Sequence, residues 1–393
     1  MQSVELFAGA GGLALGCHLA GFTPALVAEW DRWACDTIRE NQTAGYPLVE
    51  GWNVYEGDVR GIDWTQIEGP TDLVAGGPPC QPFSLGGKHG SAADPRDMFP
   101  ATAEVLRALQ PRAFIVENVK GLTRATFAEY YKYIQLRLAL PELTLREGET
   151  LAQHAQRLNR HTGRDTLRYT VVPTVVNAAD FGVPQQRHRV IMVGYRDDVA
   201  AEWVFPPATH SKDALLHAQW VSGEYWAEHE VPTRDRPEPP SAATLDRLTN
   251  TPPTLHRWRT VRDTLSGLPE PTLAGSRQHL NHVMQPGARS YPGHTGSPID
   301  WPAKTLKAGG HGVPGGENML RRPDGTVRYF TVRESARLQT FPDRYELHGA
   351  WGEAMRQLGN AVPVLLAQTV AGAVAEQLAV ADVWDAAQRR RSA

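Results

Sequence analysis

Cysteine is scarce. Cys17, Cys35 and Cys80 are the three in 393 residues, and their spacing fits neither a metal-ligand set nor a disulfide framework. That excludes a disulfide-built secreted scaffold and points to a reducing, intracellular setting. No uninterrupted apolar run reaches the ~18 residues that a membrane helix needs. The N-terminus enters an apolar strand with no basic leader or cleavage site, so a cytoplasmic location is expected. A strong charge excess is lacking too. The net charge is −3, with 21% charged and 41% hydrophobic residues, ordinary for a soluble protein and long enough for one large domain and one smaller one. The near-balance hides a split. Residues 234–344 hold 16 Lys/Arg against 10 Asp/Glu, an excess of +6, leaving −9 for the remainder. A basic segment beside an acidic body points to a polyanionic partner.

What is present begins with Ser3–Phe7, which reads as a strand, followed by Ala8-Gly9-Ala10-Gly11-Gly12 and a helix over Leu13–Ala20. Gly9, Gly11 and Ala14 fit the loose glycine pattern of a nucleotide-binding strand–turn–helix, where backbone N–H groups meet an anionic ligand. NAD suits that pattern equally well. Pro24–Ala28 reads as a second strand ending in Glu29-Trp30-Asp31. Glu29 is placed for ribose hydroxyls and Trp30 for an adenine face, the alternatives being a helix-start charge and core packing. A third strand ends at Gly57-Asp58-Val59. A fourth, Asp72–Ala75, runs into Gly76-Gly77-Pro78-Pro79-Cys80-Gln81-Pro82-Phe83-Ser84. Glycines and prolines force a stiff turn there, which gives the thiol a fixed direction, as a nucleophile needs. The polar stretch through Lys88 has the composition of a loop that closes over a substrate. Helix is expected over Asp97–Leu109, and Arg112–Val116 reads as a strand ending in Glu117-Asn118-Val119. Chemistry-bearing residues thus gather at the carboxyl ends of successive strands, the ligand edge of an open α/β sheet.

Residues 124–168 read as a surface helical insertion. Thr170–Asn177 and Val190–Tyr195 are expected as adjacent strands. Between them lie Gln185, Arg187 and Arg189, the two arginines at i and i+2 on one face of an extended segment and suited to phosphate or an acceptor oxygen. Residues 206–302, broken by Pro206-Pro207, Pro239-Pro240 and Pro252-Pro253, read as loop-rich. Lys304 and Lys307 sit in a strand–loop stretch. Arg333–Leu338 is expected to be a short helix with Thr331 as N-cap and Glu334 completing a capping box. After Gly359-Asn360-Ala361-Val362-Pro363 a buried apolar helix is expected to about Val380, with Arg389–Arg391 a disordered tail.

In this order the motifs resemble those of the DNA (cytosine-5) methyltransferases over roughly 1–123, 170–195 and 330–372. The resemblance implies a Rossmann-like α/β sheet with helices on both faces (1–195), a smaller loop-rich target-recognition domain (196–345) and a C-terminal segment (346–393) packing back on the first. It implies S-adenosylmethionine bound by Phe7, Ala8, Gly9, Gly11, Gly12, Glu29, Trp30, Asp58, Val59, Pro79, Asn360, Ala361 and Val362. Cys80 is then the nucleophile at C6 of a flipped-out cytosine, with Glu117 at N3 and Arg189, with Arg187, on the O2 side. Gln81, Ser84, Lys88, Lys304, Lys307 and Arg333 are the expected DNA contacts. Double-stranded DNA is the expected partner, with a functional link to a restriction endonuclease or defence system and a monomer sufficient. An RNA cytosine-5 methyltransferase and a non-catalytic DNA-binding protein on the same fold are the competing readings. An NAD-dependent dehydrogenase leaves Pro79-Cys80-Gln81 unexplained.

Overall fold

Short apolar runs bounded by polar turns become a sheet buried on both faces. The computed structural model describes residues 1–79, 97–163, 165–308 and 318–392. Seven strands, β1 (Gln2–Leu6), β2 (Thr23–Glu29), β3 (Val54–Glu56), β4 (Leu73–Gly76), β5 (Ala113–Val119), β6 (Tyr169–Asn177) and β7 (His188–Arg196), lie in the order β3-β2-β1-β4-β5-β7-β6. The first five are parallel. β7 runs antiparallel between β5 and β6. The chain turns back at β1, which pairs with both β2 and β4. The crevice outside the carboxyl ends of those two strands is where such a sheet binds ligands.

Period-two alternation assigns the two faces. Leu73, Ala75, Ile115 and Val193 point to one core, shared with Leu13 and Cys17 of α1 (Gly12–Leu19) and with a long C-terminal helix. Val74, Phe114, Val116 and Met192 point to the other. That face is covered by α3 (Phe99–Leu109) and α4 (Ala128–Ala139), while α2 (Arg32–Thr43) joins a third cluster with Val27. Residues 124–168 are therefore more than a surface insertion, because Ile134 and Leu138 of α4 pack on the sheet. Only α5 (Leu151–Arg160), started by a Thr150–Gln153 capping box, lies outside that layer.

The proline-broken segment contains more helix than its sequence period implies: α6 (Lys212–Trp220), α7 (Glu224–Glu228), α8 (Ala242–Asn250) and α9 (Val261–Leu265). Ser211, Ser241 and Thr260 cap three of them by accepting backbone N–H bonds. The helices are too short to show a period; α6 and α7 pack around Trp226 and Trp258, and α9 packs through Val261 with Leu306, Leu320 and Phe330. α10 (Val332–Leu338) has the expected Thr331–Glu334 capping box. Val332, Ala336, Phe341 and Tyr345 pack with Ala10, Ala14 and Leu15 of the first motif, so the chain rejoins the sheet body before residue 345. α11 (Trp351–Asn360) is followed by α12 (Val364–Ser392), which contains Arg389 and Arg390 where a disordered tail was expected. The stretch Trp351–Arg390 is long and apolar enough to cross a membrane by composition. Its Leu366, Val370, Val374 and Leu378, at i, i+4, i+8 and i+12, are buried against the sheet.

Candidate active site

The turn after β1 is the first part of the site. Phe7 has φ 53°, Gly9 54° and Gly11 86°. A left-handed phenylalanine costs on the order of 1–2 kcal/mol, so the surroundings must hold it. Glu29 does so from the end of β2. Its Oε2 accepts from Gly9 N at 2.7 Å, and its Oε1 accepts from Trp30 N at 2.9 Å and Asp31 N at 2.8 Å. Burial pushes the Glu29 carboxyl up, and the three backbone donors pull it down. A carboxylate offers about four lone-pair sites, so one acceptor position is left beyond those three. Tyr345 holds the other end of the turn, donating to Ala10 O at 2.9 Å. Nothing in the sequence near Tyr345 announces that role.

These residues fit S-adenosylmethionine. Space above Gly9 is open, since a Cβ there would meet nothing within 4 Å. Trp30 is 72% exposed. No side chain caps the N-terminus of α1, so its first N–H groups suit a carboxylate. A Cβ on Gly12 would overlap the carbonyl oxygen of Val362 and crowd the Phe341 ring, with Ala361 in contact beside it. The last motif thus lies against the first, with Asn360 exposed beside it. Asp58 is differently engaged from expectation. It caps the turn Val59–Gly61, accepting from Arg60 N at 2.9 Å, and pairs with the Arg60 guanidinium, which holds its carboxyl below the usual range.

The second part lies at the ends of β4, β5 and β7. An antiparallel strand starts where its parallel neighbours finish, so Arg189, near the start of β7, pairs across from Val119 at the end of β5. Its Nε sits 2.5 Å from Glu117 Oε1, both side chains about nine-tenths buried. The contact is an ion pair whose angle falls short of a hydrogen bond. The other carboxylate oxygen, Oε2, faces Gly77, where an added Cβ would stand 3.1 Å away. Asn118 donates from Nδ2 to Pro78 O at 3.0 Å. Glu117 and Asn118 therefore support the turn from below, and Pro79, exposed, is its last described residue before Cys80. Cys80, Gln81, Ser84 and Lys88 lie outside the described residues.

Two expected contacts are corrected. Arg187 is fully buried. Its guanidinium donates to Leu306 O at 3.1 Å, Gly359 O at 2.7 Å and Ala361 O at 2.8 Å. It satisfies carbonyls at the C-terminus of α11, where a cation also suits the helix dipole. Arg333, expected at DNA, is buried and donates to Leu280 O, Pro342 O and Tyr345 O. Gln185, which accepts from Leu306 N and donates to Leu338 O, completes the junction. Lys304 is half-buried, with Nζ donating to Thr295 Oγ1 at 3.1 Å, and Lys307 is exposed.

The model of the C-5 cytosine-specific DNA methylase family matches residues 1–139 and 143–376. The Type II methyltransferase M.PspPI of Psychrobacter sp. is 31% identical over 391 residues, 97% of this chain and 81% of that protein. M.Eco47II of Escherichia coli is 32% identical over 385 residues, 95% of this chain and 79% of that protein. Among solved structures, S. pombe Dnmt2 methyltransferase has a TM-score of 0.54 at 18% identity, covering 96% of this chain and 98% of that one. The Entamoeba histolytica methyltransferase EhMeth has a TM-score of 0.57 at 13% identity, covering 96% and 98%. These two likenesses concern the fold alone. Family match, relatives and the paired glycine-turn and Glu117–Arg189 sites agree: the chain belongs to the C-5 cytosine-specific DNA methylases and is an S-adenosylmethionine-dependent DNA (cytosine-5) methyltransferase.

Proposed function

We propose that the chain methylates C5 of a cytosine flipped out of one specific duplex sequence, through a covalent Cys80–C6 bond, as the modification half of a restriction–modification or anti-phage system. The observation that carries the reading is the place of Glu117. One oxygen meets Arg189 and the other faces the Gly77 turn that leads into Cys80.

A stacked base cannot reach Cys80, so the cytosine must leave the duplex. Cys80 adds as thiolate to C6, which makes C5 an enamine-like nucleophile. A free thiol with a pKa of about 8.5 is only a few per cent ionised at neutral pH, so the site must favour the thiolate. Glu117 holds a proton between Oε2 and N3 and draws electron density into the ring. Arg189 fixes the Glu117 carboxyl and faces the O2 side. S-adenosylmethionine, held along Phe7–Gly12, Glu29 and Trp30, supplies the electrophilic methyl group that C5 takes. Loss of the C5 proton then expels the Cys80 thiolate and restores the aromatic ring. Lys304 and Lys307 meet the DNA backbone. One chain carries every residue named, so a monomer suffices, and the functional partner is an endonuclease that cuts the same unmodified sequence.

The test is sequencing of plasmid DNA for 5-methylcytosine from a methylation-free host expressing the chain, beside Cys80→Ala. Methylation at one short motif, absent in the variant, is the expected result, with cofactor binding retained by Cys80→Ala. Persistent methylation by the variant would rule out the covalent route.

A further inference from the structure

Ala381 is the last buried residue of α12, and every residue from Asp382 to Arg390 is exposed. At a rise of about 1.5 Å per residue, the helix runs on for roughly 13 Å past its last core contact. Its direction is fixed at the root of this projection. Arg112 donates from Nη2 to Asp382 Oδ1 at 2.6 Å and to Leu378 O at 3.3 Å, and from Nη1 to Asp72 Oδ1 at 3.2 Å. Arg112 and Asp72 immediately precede β5 and β4, so the root lies at the sheet edge opposite to Glu117.

A helix end surrounded by water is expected to be polar all round. This one is not. Val380 is 60% exposed, Val383 71% and Trp384 57%. At about 3.6 residues per turn, these three and Ala387 fall on one face, opposite the buried Val370, Val374, Leu378 and Ala381. Single exposed apolar side chains need no explanation, but a contiguous stripe with a tryptophan in it marks an interaction surface.

The charges along the stripe say what covers it. Glu376 lies seven residues before Val383 and Arg390 seven residues after it. Both are exposed on the apolar face, and neither has a charged partner among the described residues. A parallel second helix would set Glu376 against Glu376 and Arg390 against Arg390. An antiparallel one, with a two-fold axis at Val383, sets Glu376 of each copy against Arg390 of the other and closes the valines and Trp384 between them. We propose that this face of α12 pairs with the same face of a second copy of the chain, as an antiparallel two-helix contact. The patch is small, which places the dimer at the weak end of specific association, with a Kd on the order of 10 µM. Its place at the amino ends of β4 and β5 leaves the reaction edge of each copy open.

The test is sedimentation velocity of the full chain without DNA, from about 1 to about 100 µM. It compares wild type with Trp384→Lys, Glu376→Arg, Arg390→Glu and the double swap of Glu376→Arg with Arg390→Glu. All three positions are exposed, so S-adenosylmethionine affinity is expected to stay unchanged and controls for folding. The expected result is a reversible monomer–dimer equilibrium in wild type, with Kd raised about tenfold or more by Trp384→Lys. Either single charge reversal weakens the dimer, and the double swap restores it. A wild type that stays monomeric overturns the inference, as does a dimer that Trp384→Lys leaves intact. Failure of the double swap to restore what the single reversals lose overturns the antiparallel pairing. Flotation of monomeric wild type, but not Trp384→Lys, with vesicles of phosphatidylcholine and phosphatidylglycerol assigns the face to a membrane surface and overturns the inference as well.

Discussion

Two arginines two residues apart do different work. The rule that i and i+2 share a face puts Arg187 and Arg189 together at the substrate. It fails because Arg187 is the single residue between the short strand Gln185–Gln186 and β7, where the alternation breaks. A guanidinium at 187 satisfies three buried carbonyls from two different segments. One ammonium cannot replace that fork. Arg187→Lys is expected to lower unfolding stability by about 2–3 kcal/mol, measured by urea titration, with little change in turnover per folded enzyme. Arg189→Lys retains the charge opposite Glu117, and with it the fold, but loses the planar contact at the reaction edge. Its methyl-transfer rate is expected to fall on the order of 10²-fold at nearly unchanged stability. Single-turnover assays beside the titrations separate the two. The reverse pattern would put the catalytic arginine at 187.

The elements that carry the site were the readable ones. Parallel strands buried on both faces appear as apolar runs, and the turn residues that end them are distinctive, so β1, β2, β4 and β5 and their terminal ligands stand out in the sequence. α6 to α9 do not, because helices of five to nine residues have no period to read. Nor does the sequence show which elements touch across hundreds of residues. The approach of Val362 to Gly12 is such a contact, and it brings the segment before α12 onto the N-terminus of α1. Gly12→Ala would drive a methyl group into the Val362 carbonyl, and neither backbone can yield cheaply. Isothermal titration is expected to show S-adenosylmethionine binding weakened tenfold or more, because the turn from Phe7 to Gly11 must shift. Gly372→Ala, in α12 with nothing within 4 Å of the added Cβ, is the matched control. Helix propensity alone makes it neutral or up to about 1 kcal/mol stabilising, with unchanged affinity.

At the scale of the whole molecule, the charge split was legible as an excess of +6 over residues 234–344. Where that charge is used was not, since Arg328 and Arg333 are buried. The converse case is an acid inside the sheet. Glu5 lies on β1, an interior strand of the sheet. It is 1% exposed, with Oε1 accepting from Ser3 Oγ at 2.9 Å and Oε2 without a hydrogen-bond partner among the described residues. Burial pushes its carboxyl up to about 7 from 4.5, against hydrogen bonds with Ser3 and Cys17 that pull it down. Below about pH 4.5 folded and unfolded chains both hold the proton, and the stability associated with it is fully present. As pH rises toward 7 the unfolded chain releases its proton first, so stability falls across that window. By pH 8 the loss amounts to about 3 kcal/mol. Other carboxylates titrate as well, so the difference between wild type and Glu5→Gln isolates this one. The carboxamide matches the protonated acid in shape and never ionises. Urea unfolding from pH 4.5 to 8 is expected to show the variant gaining about 3 kcal/mol on wild type. A difference that stays flat would mean that Glu5 ionises in the folded core without penalty, which its place between two helix-covered faces of the sheet argues against.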